Sequence, residues 1–211
     1  MNSITLSVIM PVYLGEYEGC ASNRENKFIR AINSFLTSTL LDSELIIVSD
    51  NCLIAEQIVK VKYFKELDSK RIKYIHLNKK TKLFSGELRT NGIQNSSGKY
   101  ICYLDSDDII SEKHLDTIYS QIDSLNLDWA YYNDYFYTID GFVTKCVLVQ
   151  HQSIGTSSII HKKDKNITWK DCNGYGHDWL FVQKLLNSSK NYDKIYGAGY
   201  FICHIPNQIE Y

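Results

Sequence analysis

Asp105, Asp107 and Asp108 close the run YICYLDSDDII at residues 100–110, where an apolar stretch ends in three acids within four positions. Carboxylates this close repel one another, and holding them near a low-dielectric core is costly unless a positive charge offsets them. A divalent ion does that most directly. Two carboxylates one residue apart at a strand end can be turned to the same side by a tight turn. Their hard oxygens suit Mn2+ or Mg2+, ions that keep positions open for water or for substrate phosphates. The chemistry suggested is the handling of a diphosphate. The plain alternative for an Asp-x-Asp on its own is a surface turn or a helix cap, so the rest of the chain has to decide.

Other uses of such acids fit less well. An EF-hand loop needs Gly at its sixth position and Glu at its twelfth, and the chain has Ile110 and Asp116 there. No GxxxxGK[ST] phosphate loop occurs, and no GxGxxG follows a strand. A phosphatase using Asp105 as nucleophile stays open, although Ile109 stands where such enzymes usually carry Thr or Val. The six cysteines form no CxxC pair, which argues against a zinc cluster. A net charge of −1 gives no basic field for nucleic acid. Sixteen tyrosines among 211 residues is a rich supply of flat rings with polar tips, suited to sugar sites or to core packing.

The elements that must position these acids read clearly in the first half. Residues 3–10 form a β-rich run stopped by Pro11, 43–51 a continuously apolar strand, 71–77 an alternating strand, and 99–108 the strand ending in acids. Residues 26–40, 55–67 and 85–98 carry helical spacing between them. Strand and helix alternate as in βαβ units, which predicts an α/β fold with a mostly parallel, doubly wound sheet. Ligands of such sheets bind beyond the carboxyl ends of the strands. Three polar strand ends should therefore converge: Pro11, Val12 and Tyr13; Ser49, Asp50 and Asn51; and Asp105 to Asp108.

After residue 110 the texture changes. A helix over 111–125 with Ser111 as its cap precedes strand-like runs at 128–139, 142–150 and 155–162, then a helix over 177–189 and a last strand over 199–205. The expectation is a single domain over 1–211, with a nucleotide-binding half (1–110) and an acceptor-binding half (111–211) that supplies a smaller β element. No basic region leads into a long apolar stretch at the N-terminus, and no apolar run approaches the ~20 residues that span a bilayer. The expectation is a reduced, cytoplasmic chain with no transmembrane segment.

The stretch SGELRTNGIQNSSGKYICYLDSDD resembles the family 2 glycosyltransferases of the GT-A fold. The resemblance rests on Arg89, Asn91, Gly92 and Ile93, then Gly98, Lys99, Tyr100 and Ile101, then Asp105, Asp107 and Asp108. The opening LSVIMPVYLG is similar to that family's first strand and turn. SELIIVSDNC is similar to its second strand, with Ser49 where one of two paired acids is usual. The match is good over about the first 110 residues and thin beyond.

The resemblance implies a UDP-sugar donor lying across the strand ends. Pro11, Val12 and Tyr13 would pack on base and ribose, and Asp50 would accept from a uracil N–H. Arg89 would reach base or phosphate. Asp105 and Ser106 would lie on the ribose side, and Asp105, Asp107 and a late His204 would form the shell of Mn2+ or Mg2+. GHDWLFVQKLL is similar to the head of the family's acceptor-side helix. That makes Asp178 the general base of an inverting transfer to a glycan or glycoprotein hydroxyl, with His177 replacing a commoner Glu as a second candidate. A retaining enzyme with the same donor site is the alternative. Tyr13, Tyr17, Tyr175 and Trp179 could stack on sugar rings, and NGYGH reads as a loop able to close on the donor. Members often carry further segments, so this chain could be part of a longer, multidomain protein. The layout is also similar to glycosyltransferases that decorate viral capsid glycoproteins, which would place synthesis in a host cytoplasm.

Overall fold

The computed structural model describes residues 4–78, 85–172, 174, 176–206 and 210–211. The first half runs β1 (Leu6–Val12), α1 (Arg24–Leu36), β2 (Ser43–Asp50), α2 (Leu53–Lys62), α3 (Phe64–Asp68), β3 (Ile72–Leu77), α4 (Gly86–Gln94) and β4 (Tyr100–Tyr103). The second half adds β5 (Ile109–Ile110), α5 (His114–Ser124), β6 (Trp129–Tyr131), β7 (Asp134–Thr138), β8 (Gly141–Lys145), β9 (Ile159–Lys162), α6 (His177–Ser188), β10 (Tyr192–Lys194) and β11 (Tyr200–Ile202). Among the described residues no helix is long and apolar enough to cross a membrane.

A seven-stranded sheet in the order β10-β6-β9-β4-β1-β2-β3 carries the fold. Its first-half strands are parallel, with β1 between β2 and β4. Every residue of β1 and β2 is buried, as expected where helices cover both faces of a sheet. On one face α1 packs Phe28, Ala31, Ile32 and Phe35, the spacing of a single helical stripe. On the other, Leu88 and Ile93 of α4 join Trp169 and Phe181. Gly92 allows α4 to lie this close, since a Cβ there would stand 2.4 Å from Ile9 Cγ2. That close approach sets the position of Arg89 one turn earlier.

Several elements differ from the sequence reading. Pro11 does not stop β1, which runs on to Val12 with Pro11 opposite Val48. Pairing with β4 has already ended at Ile9, so the missing N–H of Pro11 costs no ladder bond on that side. The sheet is mixed, because β9 runs antiparallel to both β4 and β6. The run 128–162 contains no crossover helix, and antiparallel strands do not require one. The helix expected over 55–67 breaks at Tyr63 into α2 and α3. Ser111 does not cap α5 with its side chain; its carbonyl accepts the N–H of His114. The strand expected to reach residue 108 ends at Tyr103, and the acids form a turn closed by Asp108 N–H to Asp105 O at 3.1 Å. Finally, β11 does not pair within the large sheet. It joins β5, β7 and β8 in a second, smaller sheet of order β5-β11-β7-β8.

Two core histidines give a pH signature. Trp169 Nε1–H donates to Tyr103 O at 3.0 Å, and His161 Nδ1–H donates to Lys162 O at 2.8 Å. His161 Nε2, 2.8 Å from Tyr103 O, therefore accepts the phenol proton. His114 Nδ1 accepts from Gly199 N–H at 3.1 Å. Burial pushes His161 down to about 4 and His114 down to about 3, from 6.5. A base with a depressed folded pKa contributes stability above its unfolded value and loses it as pH falls toward the folded value. Each histidine should therefore remove up to about 1.4 kcal/mol per pH unit below the unfolded value. Urea unfolding at about pH 7 and about pH 5 measures this, with a marked fall expected at the lower pH; equal stability at both would contradict it.

Candidate active site

The carboxyl ends of β1, β2 and β4 open into a cleft of about 750 Å³. From the sheet it receives Pro11, Val12 and Tyr13, then Asp50, then Asp105, Ser106 and Asp107. Arg89 enters from α4, His177 and Asp178 from the head of α6, and His204 from just past β11. The residues expected to bind the donor, hold the metal or act as base thus line one cleft, of a size suited to a nucleotide sugar.

The third acid of the turn is a bracket. Asp108 is 4% exposed, and its Oδ2 accepts from Tyr200 O–H at 2.9 Å while Oδ1 accepts from Cys203 N–H at 2.8 Å. Tyr200 O in turn accepts from Asp105 N–H at 3.0 Å, and Arg30 Nη2 donates to Asp107 O at 2.9 Å. β11 and α1 therefore hold the acid turn from two sides. Burial, and after it the charges of Asp107 and Asp105, push the Asp108 carboxyl well above the usual range. For Asp107, burial again comes first, then Asp105; His204 opposes, and the net shift is upward. Negative charge in this turn is under-compensated by the protein itself.

Arg89 is 3% exposed and ties both halves of the cleft together. Nη2 donates to Asp105 Oδ1 at 2.9 Å and to Thr156 Oγ1 at 3.4 Å; Nη1 donates to Ser85 Oγ and lies 3.4 Å from His177 Nε2. The guanidinium carbon stands 4.9 Å from the centre of the Trp169 ring. The sequence reading had Arg89 directed at base or phosphate. In the structure Asp105 takes one arm, since a buried guanidinium needs a carboxylate partner. Lysine cannot reproduce the fork. Arg89→Lys should lower kcat/KM roughly 10- to 100-fold, the cost of one or two charge-assisted hydrogen bonds. Steady-state kinetics checks this; an unchanged kcat/KM would show that the fork is dispensable.

At the head of α6, Gly176 takes φ +88°, a left-handed turn that favours glycine, and delivers His177 and Asp178 to the cleft. Asp178 sits in the first turn, where the helix dipole favours an acid. His177 Nδ1 lies 3.2 Å from Gly174 O, which can only accept, so Nδ1 carries the proton. Its Nε2 is 3.1 Å from Asp178 Oδ1, an ion-pair distance. Burial raises the Asp178 pKa most, but His177, Arg89 and Lys145 together outweigh it and hold the carboxyl below its usual range. Asp178 is ionised at neutral pH and can accept a proton.

His204, expected in the metal shell, shares the cleft with Asp105 and Asp107. Its Nε2–H donates to Gly19 O at 2.9 Å and Nδ1 stands 3.1 Å from Glu210 Oε2. Among the described residues no three His, Cys, Asp or Glu side chains gather as a metal cluster. Ser49, in place of an acid, accepts the Cys52 N–H on Oγ at 3.1 Å, ahead of α2. Tyr17 lines the cleft, whereas Trp179 packs on the core beside Trp169 and Phe181. Tyr175 and part of NGYGH lie outside the described residues. The sequence reading missed Arg24, Lys145, Thr156 and Ser157, all in the cleft wall. Lys145 sits in β8 opposite the buried Asp134, and a lone lysine in a strand run gives no signal of this.

The profile of the family described as Glycosyl transferase family 2 matches residues 7–188. The glycosyltransferase GlyA of Streptococcus pneumoniae is 32% identical over 130 residues, covering 62% of this chain and 17% of its own length. TarP of Staphylococcus aureus, a poly(ribitol-phosphate) beta-N-acetylglucosaminyltransferase, is 28% identical over 209 residues, with 89% of this chain and 59% of its own length covered. The crystal structure of S. aureus TarS 1-349 superposes with a TM-score of 0.72 at 18% identity, covering 94% of this chain and 60% of that one. Similar TarS structures hold UDP and UDP-GlcNAc. The chain thus spans less than a fifth of GlyA and about three fifths of TarP.

Proposed function

The chain belongs to glycosyl transferase family 2 and has the GT-A fold, and from that premise we propose that it transfers a sugar from a UDP-sugar to a glycan hydroxyl, inverting the anomeric carbon with Asp178 as general base. The observation that carries this reading is a single cleft holding both an under-compensated acid turn and an ionised carboxylate on the acceptor side. The UDP and UDP-GlcNAc complexes of TarS support the choice of donor. Residues 1–211 act as one unit in this reading, with 1–110 on the donor side and 111–211 on the acceptor side.

The turn fits a hard divalent ion. Mn2+ or Mg2+ is commonly held by one or two carboxylates, with diphosphate oxygens and water completing the shell. Asp107 and Asp105 supply two carboxylates; burial, and after it the Asp105 charge, raises the Asp107 pKa in the metal-free protein. His204, whose ring lies on Gly19 O and near Glu210 in the metal-free protein, is the third ligand in this reading. Bound there, the ion would offset the charge on the departing diphosphate.

The protein's own groups do the rest. Pro11, Val12 and Tyr13 wall the base and ribose, Asp50 accepts from the uracil N–H, and Ser106 faces the ribose. Arg24 and Lys145 add positive charge to the cleft. Asp178 takes the acceptor proton as the hydroxyl oxygen bonds to the anomeric carbon; the bond to UDP breaks and its electron pair leaves with UDP. His177, whose Nδ1–H donates to Gly174 O, turns its Nε2 toward Asp178 Oδ1 at 3.1 Å and is the second candidate for the base in this reading. A phosphatase using Asp105 gains nothing from family 2 membership, and Asp105 Oδ1 is held by Arg89.

A panel of nucleotide sugars with Mn2+, scored by calorimetry and by slow donor hydrolysis, tests the donor class. Selective binding of UDP-sugars is expected; preference for another nucleotide would overturn it. NMR of the product then reads the anomer, and a retained configuration would remove Asp178 from the role of base.

A further inference from the structure

Outside the cleft, a cluster of polar partners gathers on Glu210. Its carboxylate accepts from Ser22 N–H at 3.1 Å and from Ser22 Oγ–H, pairs with Lys27 Nζ at 2.8 Å and stands 3.1 Å from His204 Nδ1. His204 passes the tie on to Gly19 O. Ser22 and Gly19 belong to the loop between β1 and α1, which brings Tyr17 into the cleft wall; Arg24, the first residue of α1, follows. A second cavity of about 940 Å³ is lined by this loop, the first residues of α1, His204 and Glu210. Leu14 and Ala21 bury the two ends of the loop, and polar ties hold the stretch between and beyond them, several of them made by Glu210. Lys27 is 8% exposed, so its ammonium has strong need of this carboxylate. The adjacent Tyr211 anchors the same segment. Its N–H donates to Cys203 O at 2.8 Å and its carbonyl accepts from Arg30 Nη1 at 3.1 Å, while the other arm of Arg30 holds Asp107 O.

We infer that Glu210 is a positioning residue of the donor cleft, fastening the loop between β1 and α1 through Ser22, Lys27 and His204 so that Tyr17 and Arg24 stand preformed for the donor. The inference rests on the donor-site reading above. A loop that must be ordered on binding lowers apparent affinity by the fraction of molecules already in the competent form. The loss appears in donor binding and KM, and kcat changes little because Glu210 touches no reacting atom.

The test uses the full chain and two readouts. Glu210→Ala alone would leave Lys27 buried without its partner, so the double variant Glu210→Ala with Lys27→Met removes both charges, and Ser22→Ala loosens the tie while sparing the ion pair. In the double variant, amide exchange over residues 14–23 should quicken without ligand, and the Kd for UDP with Mn2+ and the donor KM should rise roughly tenfold with kcat within about twofold. Ser22→Ala should shift both readouts in the same direction by less. Unchanged exchange over 14–23 in the double variant would overturn the inference, as would a fall in kcat with KM unmoved. If the unmodified protein binds no UDP, the donor reading fails, and the exchange data still judge the tie separately.

Discussion

Asp178→Asn is expected to cut transfer by roughly 10²- to 10⁴-fold while leaving the Kd for UDP within about twofold. The substitution keeps the shape of the side chain and removes its ability to take a proton. Asp178 suits the role because it is ionised, lines the cleft, and sits in the first turn of α6 behind the left-handed Gly176. The pH profile carries a further expectation. His177, Arg89 and Lys145 hold the Asp178 pKa down against burial, so the acid limb of kcat should fall below the usual carboxylate range. His177→Ala should move that limb upward, since an opposing influence is removed while burial stays. If Asp178→Asn transferred sugar at the unmodified rate, the proton would have to go elsewhere.

Asp107→Asn should have two effects of opposite sign. Without metal, burial and Asp105 both disfavour the Asp107 charge, so the neutral amide should raise the melting temperature measured in chelator. With Mn2+, the same change removes a hard oxygen ligand and the charge that holds the ion. Donor hydrolysis and transfer should fall by roughly 100-fold or more. A stabilised but inactive variant would mark Asp107 as a residue placed for the ligand at the expense of the fold. A variant that lost stability and kept metal-dependent hydrolysis would contradict this placement.

The parallel half of the fold was legible because its strands and helices are long enough to show their periods. β1, β2, β3 and α1 fall within a few residues of their expected places. β5 and β10, of two and three residues, are too short to carry a period, and they were not foreseen. β9 could not be oriented from the sequence, because direction in a sheet is a tertiary property. The site was legible as a set of strand ends, since a doubly wound sheet gathers them wherever the intervening loops go. What each acid does was not legible. Asp107 and Asp108 are neighbours in the chain, yet burial and Asp105 raise the Asp107 carboxyl against the pull of His204 and Arg24, while Asp108 is locked to Tyr200 and Cys203, 92 and 95 residues away. Lys145 and Glu210 were invisible for the same reason: their partners come from distant segments.

The most direct test is calorimetric titration of UDP into the protein with Mn2+ and again with a chelator. Saturable binding that requires the metal is predicted, lost on chelation and restored when Mn2+ is returned. UDP binding equally tight in chelator, or absent with Mn2+, would contradict the claim that the acid turn grips a cation and, through it, the diphosphate of the donor.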